Sequence, residues 1–296
     1  MIPDRPEYFR LGLIGWPVAH SLSPHIHQAA FQATRTYGEY KLYPVDPAAR
    51  ETELLPLLDR LRSGEIHGLN VTVPHKEYLA KMVDEVTPEA QAIGAVNTLY
   101  VKDGKLIGDN SDAPGFLNHL ARLQMLPPHK KLSWVILGAG GSARAVAYAL
   151  ASQGHSVAIA ARRSEQSQQL ADDLNLASGV LTRLAWMELD YERISSQVRP
   201  DGLVNTTPAG MHPLIEQSPW PEEIPLPEAC RVYDLIYNPA ETVLLHRARQ
   251  TGHLAVNGLG MLIEQAAISF AIWTGHQPPL KVLYPAVGLP AIQAAR

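Results

Sequence analysis

The sequence predicts an α/β protein of two domains built on parallel sheets. Short runs of β-branched and other apolar residues alternate with longer helix-like segments, as expected for strands joined by crossover helices. The 296 residues are long enough for two domains, because a single hydrophobic core stops growing at roughly 250–300 residues. A polar stretch with two prolines, residues 127–131, separates two series of elements.

The first series begins with a strand and ends with a hairpin. Ser23-Pro24 is a typical helix start, because serine accepts from unpaired N–H groups and proline suits the first helical position. Asp103-Gly104 predicts the hairpin turn. The expected elements are strand Leu11–Gly15, a helix from Ser23, strand Tyr40–Val45, helix Glu51–Leu61, strand Gly68–Val73, a helix after Pro74, a short helix at Thr87-Pro88-Glu89, and hairpin strands Val96–Val101 and Lys105–Ile107.

The second part of the chain changes its pattern after Asp112, where a helix leads to the break at residues 127–131 and a regular strand–helix series begins at Leu132. Its expected elements are helix Pro114–Leu126, strand Leu132–Gly138, a helix ending at Gln153, strand Ser156–Ala161, helix Glu165–Asn175, strands Gly202–Thr206 and Val232–Ile236, and helices Ala240–Thr251 and Leu259–Thr274. We expect the last helix to return to the first domain. Residues 1–112 and 253–296 would then form one domain and residues 113–252 the other, with a cleft between them.

Composition and charge argue against several classes of protein. The formal net charge is −4 and the basic residues are scattered, which gives no reason to expect a nucleic-acid partner. Cys230 is the single cysteine, so the sequence allows no intrachain disulfide and no thiolate metal cluster. No window has the apolar run of a signal peptide or a membrane helix. We therefore expect a cytoplasmic protein with neither a membrane nor a nucleic acid as partner.

The most informative local motif is a glycine-rich turn between a strand and a helix. It reads Gly138-Ala139-Gly140-Gly141-Ser142-Ala143. In such a turn the first glycine permits the tight bend, the second lets the backbone approach a pyrophosphate, and the alanine keeps the helix close to the strand. The helix N-terminus adds N–H donors and positive potential. This context predicts a Rossmann-type domain that binds a dinucleotide, rather than an ordinary glycine-rich loop.

The residues after the next strand indicate which dinucleotide is bound. An NAD site usually has an acidic residue there, which bonds the ribose hydroxyls. In this chain Ala161 is followed by Arg162 and Arg163. A guanidinium group donates bidentately to phosphate and stays charged. The pair could be a solvated strand end, but its position favours NADP.

Three polar segments in the first half are hard to explain as scaffold. They are His20-Ser21-Leu22-Ser23-Pro24, Asn70-Val71-Thr72-Val73-Pro74-His75-Lys76, and Gly94-Ala95-Val96-Asn97-Thr98 together with Gly108-Asp109-Asn110-Ser111-Asp112. Each segment alone is weak, because a serine is often a plain N-cap and a lone lysine is usually at the surface. Together they suit a small polyhydroxylated acid. Two serines beside a helix N-terminus would bind its carboxylate.

Lys76 and Asp112 are the candidate catalytic residues within these segments. If they are adjacent, each favours the charged form of the other. They would then offer one donor and one acceptor to a reacting hydroxyl.

Taken in order, these motifs resemble the shikimate dehydrogenase family over about residues 11–275. Asn205-Thr206-Thr207-Pro208-Ala209-Gly210-Met211 and Gly258-Leu259-Gly260-Met261-Leu262, followed by Gln265-Ala266, extend the resemblance through the second half. The chain departs from the family where Ala161-Arg162-Arg163 replaces the common Asn-Arg-Thr. It also departs at Ser111, usually threonine, and at Ala113-Pro114, where glycine is commoner. None of these changes removes a reactive group.

The resemblance implies reversible NADPH-dependent reduction of 3-dehydroshikimate to shikimate, in aromatic amino-acid biosynthesis, by a monomer or homodimer. Lys76 would be the principal catalytic residue beside Asp112. The implied substrate-binding residues are Ser21, Ser23, Thr72, Asn97, Asp112, Tyr237 and Gln265. The implied cofactor-binding residues are Gly138, Ala139, Gly140, Gly141, Ser142, Ala143, Arg162, Arg163, Thr206, Gly260 and Met261.

Three alternatives remain at this point. A quinate/shikimate enzyme of broader specificity would be expected to favour NAD, which the missing acid after Ala161 argues against. A non-catalytic NADP-binding regulator would be expected to lack Lys76 or Asp112, and both are present. A metal site at His20, His25 and His27 is disfavoured, because neighbours on one helix face lie at i+3 and i+4. We expect no metal.

Overall fold

The computed structural model describes residues 7–178 and 184–290. Its internal contacts divide the chain into two compact units. The first unit comprises Met1–Gln91, Ala95–Ser111 and Leu262–Arg296, and the second comprises Ala92–Gly94 and Asp112–Met261. Among the described residues no helix is long and apolar enough to cross a membrane.

The first unit contains a mixed sheet with strand order β2-β1-β3-β5-β6-β4. Strands β1, β2 and β3 are parallel, whereas β5 runs antiparallel to both β3 and β6. Its strands are β1 (Tyr8–Gly15), β2 (Tyr37–Pro44), β3 (Gly68–Val71), β4 (Glu85–Val86), β5 (Thr98–Lys102) and β6 (Lys105–Asp109). The residues after β1, β3 and β6 and those before β5 therefore meet at one edge of the sheet.

The helices α1 (Ser23–Thr34), α2 (Leu55–Arg62), α3 (Lys76–Leu79) and α4 (Pro88–Ile93) follow the strands of this sheet. The helix expected over Glu51–Leu61 is less regular than predicted. A 3₁₀ turn and a π turn (Arg50–Leu54) precede α2, and Pro56 in its first turn has no N–H to extend α-type bonding backwards. Leu57, Leu58 and Leu61 of α2 pack into a core with Leu69.

The second unit has a six-stranded sheet whose neighbouring strands are all parallel, in the order β9-β8-β7-β10-β11-β12. Its strands are β7 (Ser133–Leu137), β8 (Ser156–Ala161), β9 (Leu184–Glu188), β10 (Gly202–Asn205), β11 (Arg231–Asp234) and β12 (Ala255–Asn257). Numbered within the unit, this order is 3-2-1-4-5-6, the doubly wound arrangement of dinucleotide-binding domains. The predicted Rossmann-type fold is confirmed.

Helices of the second unit cover its sheet, and Val135, Leu203 and Val232 of the sheet form a core with Leu244 and Leu245. These helices are α5 (Asp112–Arg122), α6 (Gly141–Ser152), α7 (Ser164–Ser178), α8 (Tyr191–Arg193) and α9 (Val243–Gln250). Helix α10 (Leu259–Thr274) begins in the second unit and continues in the first, which also contains α11 (Leu280–Leu283).

The sequence predicts that the chain returns to the first unit at residue 253, and the division by internal contacts has this return at Leu262, nine residues later. Strand β12 pairs with β11, so the chain stays in the second unit through Met261 and returns at Leu262. A three-residue strand leaves too little periodicity to be recognised in sequence. The first boundary lies at Ser111, one residue before the expected position.

Candidate functional site

Ser21 and Ser23 follow β1 at the edge of the first sheet where the polar segments were expected to meet. Helix α1 begins at Ser23 itself, with Leu22 in the N-cap position and no side-chain capping bond from that residue. The backbone N–H of Ser23 donates to Ser21 Oγ at 3.2 Å. The interpretation of Ser23 as a plain N-cap is therefore wrong, and its buried hydroxyl belongs to the first helical residue.

Thr72 and Lys76 lie at the same edge, just beyond β3. The backbone N–H of Thr72 donates to Ile14 O of β1 at 2.8 Å. Lys76 is the first residue of α3 and only 8% exposed. Its carbonyl accepts from Val96 N at 3.1 Å, which ties the helix start to the segment before β5. This burial separates Lys76 from the usual surface lysine.

Hydrogen bonds of His75 and Arg50 fix the backbone immediately before Lys76. His75 Nε2 lies 2.8 Å from Val45 O, and Arg50 Nε donates to His75 Nδ1 at 3.1 Å. Burial lowers the pKa of His75, and the charge of Arg50 lowers it further. A neutral ring that donates from Nε2 and accepts at Nδ1 satisfies both contacts. Arg50 also donates to Pro74 O at 3.0 Å, so the segment leading to Lys76 has a defined position.

Asn97 and Gln265 come together at this edge through Ser111. Asn97 Oδ1 accepts from the Ser111 backbone N–H at 2.7 Å, and its Nδ2 donates to Ser111 Oγ at 3.0 Å. Gln265 Oε1 accepts from Asn97 Nδ2 at 3.4 Å and from Ser111 Oγ at 3.3 Å. Asp112 follows Ser111 directly, starts α5 and is buried. The serine in place of the family's threonine keeps the hydroxyl that joins the two amides.

Asn70 is a buried residue beneath this cluster to which sequence reasoning assigned no role. Its Nδ2 donates to Asn97 O at 3.1 Å and to Ser269 Oγ at 3.0 Å, and its Oδ1 accepts from Tyr40 Oη at 2.8 Å. Ser269 lies one helical turn after Gln265 in α10, so Asn70 links that helix to the sheet. An asparagine inside an otherwise apolar strand was the available signal, because a buried amide needs partners.

In the second unit, Gly138 and Thr206 meet where the strand order reverses. Gly138 follows β7 with a φ of +110°, and a Cβ there would lie 2.5 Å from Thr206 Oγ1. Thr206 follows β10 and donates to Leu137 O at 2.7 Å. Ligands of open α/β sheets bind at this switch point, beyond the carboxyl ends of the strands. Only glycine fits this backbone and this close contact.

The rest of the glycine turn leaves room for a ligand at the start of α6. Gly140 is the N-cap and has no side-chain capping bond, and no heavy atom lies within 4 Å of the Cβ position built on it. Gly141, Ser142 and Ala143 form the first turn, where backbone N–H groups point out of the helix end. Ala139 lies between the two glycines. Open space above N–H donors and positive helix potential fits a pyrophosphate.

Arg162 and Arg163 directly follow β8 and are both exposed. The charge of Arg162 lowers the pKa of the Tyr191 hydroxyl, against a larger rise caused by burial. That effect places the Arg162 guanidinium within electrostatic reach of the residues after β9. No acidic residue follows Ala161 at the end of β8.

Asp234 is a second buried polar residue with several hydrogen-bond partners, and the sequence did not predict a role for it. It ends β11, where Oδ1 accepts from Asn205 Nδ2 at 2.9 Å and from Ile236 N at 3.0 Å. Its Oδ2 accepts from Thr242 Oγ1 at 2.7 Å. Asn205 Oδ1 in turn accepts from Thr207 N at 2.9 Å. Asp234 therefore holds the loop that carries Thr206 and also the chain leading to Tyr237, which is half-buried.

Asp234→Ala is expected to lower the free energy of unfolding by roughly 3 kcal/mol, because buried donors would lose their acceptor. Asp234→Asn keeps an oxygen for Asn205 and Ile236 and should cost only about 1 kcal/mol. Urea denaturation measures both. Asp190→Ala is the matched control in the same unit, since that exposed aspartate caps α8 and should cost about 1 kcal/mol. If Asp234→Ala lowers the free energy of unfolding no more than Asp190→Ala does, the stabilising role of the Asp234 hydrogen bonds is contradicted.

The difference in unfolding free energy between the wild type and Asp234→Asn should also depend on pH. Burial raises the pKa of Asp234 to about 6, against hydrogen bonds that lower it. The folded protein then holds this proton more tightly than the unfolded chain. The resulting stabilisation is complete below pH about 4 and is lost as the pH rises through about 6. The unfolding free energy of the wild type should therefore fall relative to that of Asp234→Asn between those pH values.

Gly260 and Met261 lie in the first turn of α10 and are both buried. Leu259 N, one residue earlier, donates to Asn257 Oδ1 at 3.1 Å. Among the described residues no group of three or more His, Cys, Asp or Glu side chains could hold a metal ion. The ring of His27 is instead stacked on Tyr40 at a centroid distance of 4.1 Å, and burial lowers its pKa to about 3.

Comparison with known proteins identifies the family to which this chain is similar. Residues 13–99 match the shikimate dehydrogenase substrate binding domain, and residues 258–287 match the shikimate 5'-dehydrogenase C-terminal domain. The shikimate dehydrogenase (NADP(+)) of Carboxydothermus hydrogenoformans is 41% identical over 94% of this chain and 96% of its own length.

Solved structures agree with this assignment. The shikimate 5-dehydrogenase of Thermus thermophilus, in complex with NADP(H) and shikimate, has a TM-score of 0.81 at 35% identity, covering 94% of this chain and 98% of that one. The quinate dehydrogenase of Corynebacterium glutamicum in complex with NAD has a TM-score of 0.82 at 32% identity, covering 95% and 99%. With such identity over nearly its whole length, this chain belongs to the shikimate dehydrogenase family.

Proposed function

We propose that this chain catalyses the reversible NADPH-dependent reduction of 3-dehydroshikimate to shikimate, in the pathway to aromatic amino acids. The observation that carries the proposal is the meeting of the predicted polar residues at one edge of the first sheet. The relatives named shikimate dehydrogenase (NADP(+)) and the neighbour solved with NADP(H) and shikimate support it. The open glycine turn and the two arginines of the second unit support NADP as the cofactor.

The substrate carboxylate is assigned to Ser21 and Ser23, with Tyr237 as a further donor. Two hydroxyls near the start of α1 suit an anion, because O–H donors and the helix field act together. The ring hydroxyls are assigned to Thr72, Asn97, Asp112 and Gln265. The bonds between Asn97, Ser111 and Gln265 orient these amides before substrate arrives, which reduces the entropy lost on binding.

Lys76 and Asp112 carry the chemistry in this proposal. NADPH, when bound, supplies the hydride that reduces the ketone. Lys76 Nζ donates a hydrogen bond to the substrate oxygen on which negative charge develops, and the Asp112 carboxylate accepts from the neighbouring hydroxyl. A preorganised donor at that oxygen lowers the barrier in proportion to the charge it stabilises. The buried position of Lys76 strengthens this effect, because the local dielectric is low.

The cofactor is assigned to the switch point of the second unit. Gly138, Ala139, Gly140, Gly141, Ser142 and Ala143 would cradle the pyrophosphate, Thr206 would line the same crevice, and Gly260 and Met261 would lie toward the nicotinamide. Arg162 would bind the 2′-phosphate, and Arg163 would add to that positive potential. Guanidinium groups suit a phosphate of this kind because they donate in a planar fork.

A quinate/shikimate enzyme of broader specificity is the second candidate, favoured by the likeness to the NAD-bound quinate dehydrogenase. The absence of an acid after Ala161 and the two arginines there favour NADP instead. Paired serines suit shikimate, whose C1 lacks the extra hydroxyl of quinate. A non-catalytic NADP-binding regulator is disfavoured, because Lys76 and Asp112 are both retained.

Steady-state oxidation of shikimate and quinate, each with NADP and with NAD, tests the proposal directly. We expect kcat/KM to be highest for shikimate with NADP. Higher kcat/KM for quinate with NAD would establish the second candidate, and no turnover in any of the four combinations would favour the regulator. A cytoplasmic location and a monomeric or homodimeric state complete the proposal, and gel filtration of the purified protein tests the second of these.

A further inference from the structure

Helix α5 carries a row of buried side chains that starts at the candidate catalytic aspartate. Asp112, Phe116 and His119 are spaced at i, i+4 and i+7, so they share one face of the helix. Phe116 and His119 both pack edge-on against the ring of Tyr233 in β11, with centroid distances of 5.0 and 5.7 Å. This face is therefore fixed to the sheet of the second unit two turns beyond Asp112.

His119 is held in one orientation by a hydrogen bond. Its Nδ1 lies 2.6 Å from Tyr233 Oη, and Tyr233 is fully buried. Burial, together with the nearby charge of Arg122, lowers the pKa of His119 to about 4. The ring is therefore neutral at pH 7, and a neutral imidazole needs only one donor and one acceptor contact. The opposite edge of the ring, including Nε2, faces the start of α10.

The residue that meets this edge is Gly260. The atoms nearest to a Cβ built on Gly260 are Nε2, Cδ2 and Cε1 of His119, all well inside van der Waals contact. The His119 imidazole thus fills the space that a side chain at position 260 would need, and it packs directly against the backbone of α10. Gly258, two residues before Gly260, is also held, because its N–H donates to Ile236 O at 3.2 Å. Both contacts lie at the start of α10, next to Met261.

We propose that the contact between His119 and Gly260 sets the spacing between α5, which begins at Asp112, and the turn of α10 that carries Met261. His119 is then a positioning residue for the reaction. The inference rests on the proposed function, since Asp112 and Met261 are assigned there to substrate and nicotinamide. Misplacement of reacting groups by about 1 Å can lower a rate roughly 10²-fold, so a fixed spacer at this position has a large effect.

A double-mutant cycle tests the spacer. Gly260→Ala places a methyl group inside the His119 ring and should lower kcat/KM for shikimate with NADP by roughly 10–10²-fold. His119→Ala should lower it less. In the double variant the alanine methyl enters the space left by the imidazole, so activity should recover at least several-fold relative to Gly260→Ala alone. This recovery on adding a second substitution is the expected signature of direct contact.

Two further measurements separate positioning from stability. The dissociation constant of NADP, from fluorescence titration, should rise in Gly260→Ala and recover in the double variant. Turnover per folded molecule at 25 °C should change even where circular dichroism shows each variant fully folded, which a merely structural role would not produce. Tyr233→Phe keeps the ring contacts and removes only the hydroxyl, and should have an intermediate effect on turnover.

Losses that simply add in the cycle, or a Gly260→Ala variant with unchanged turnover and NADP affinity, would overturn the inference. If Gly260→Ala does not fold, the double variant must fold and turn over for the spacer to stand. The NADP titration can be read whichever acid is the substrate. A failure of the proposed function therefore remains distinguishable from a failure of this contact.

Discussion

Lys76→Ala should lower kcat for shikimate oxidation by roughly 10²–10⁴-fold, the range for a lost proton-transfer or charge-stabilising group. Lys76 starts α3, is buried, and lies in a segment held by His75 and Arg50. The Lys76 side chain is thus held in position before substrate binds, and a mobile neighbouring side chain cannot replace it. Stopped-flow and steady-state assays at saturating NADP and shikimate measure the loss.

The position of Lys76 also predicts what should not change. Cofactor affinity should stay within about threefold, because the residues assigned to NADP lie in the other unit and mutations at independent sites act separately. Lys81→Ala is the matched control, since Lys81 is an exposed lysine just beyond α3. We expect its kcat to be close to that of the wild type. A Lys76→Ala enzyme that turns over like Lys81→Ala would refute the catalytic role.

The double variant Arg162→Ala/Arg163→Ala should weaken NADP binding by roughly 10²-fold and change NAD binding by less than about threefold. A charge-assisted hydrogen bond contributes about 1.5–3 kcal/mol, and every 1.4 kcal/mol is a factor of ten in affinity. NAD lacks the 2′-phosphate, so it loses only the general positive potential. Fluorescence titrations with both dinucleotides give the two ratios, and the single variants show how the effect divides.

Arg249→Ala controls for the loss of positive charge in the same unit. Its guanidinium is exposed and paired with Glu241, and such surface pairs contribute little. Neither dinucleotide should bind differently to this variant. Equal losses of NADP and NAD affinity in the Arg162/Arg163 variant would show that the pair does not recognise the 2′-phosphate.

Local sequence patterns predicted most elements of the fold. Strand β8 and helix α10 were expected with the bounds that the structure has, because apolar periodicity and flanking glycines are strong there. Strand β9 was missed, since most of its residues are exposed and show no alternating pattern. Strand β12 was missed because three residues are too short for one.

The candidate site likewise contains some residues that local sequence predicts and others that it does not. Ser21, Ser23, Thr72 and Lys76 could be chosen from sequence because each follows a strand, and parallel strands end at a common edge. Asn70 and Ser269 could not, although they share a hydrogen bond, because they stand 199 residues apart in the chain. The same holds for His119 and Gly260, whose contact depends on how α5 and α10 pack in the second unit.

Local sequence was enough to predict two α/β domains, a glycine-rich turn at Gly138 between a strand and a helix, and the polar residues of the candidate site. These features are short-range, because a turn, a cap or an amphipathic period is encoded within a few residues. The three-dimensional structure was needed to locate the return of the chain to the first unit and to identify the buried groups that hold the candidate site residues in place. Such partners depend on strand order and helix packing. A buried polar side chain is satisfied by whatever the fold brings within hydrogen-bonding distance, which local sequence does not specify.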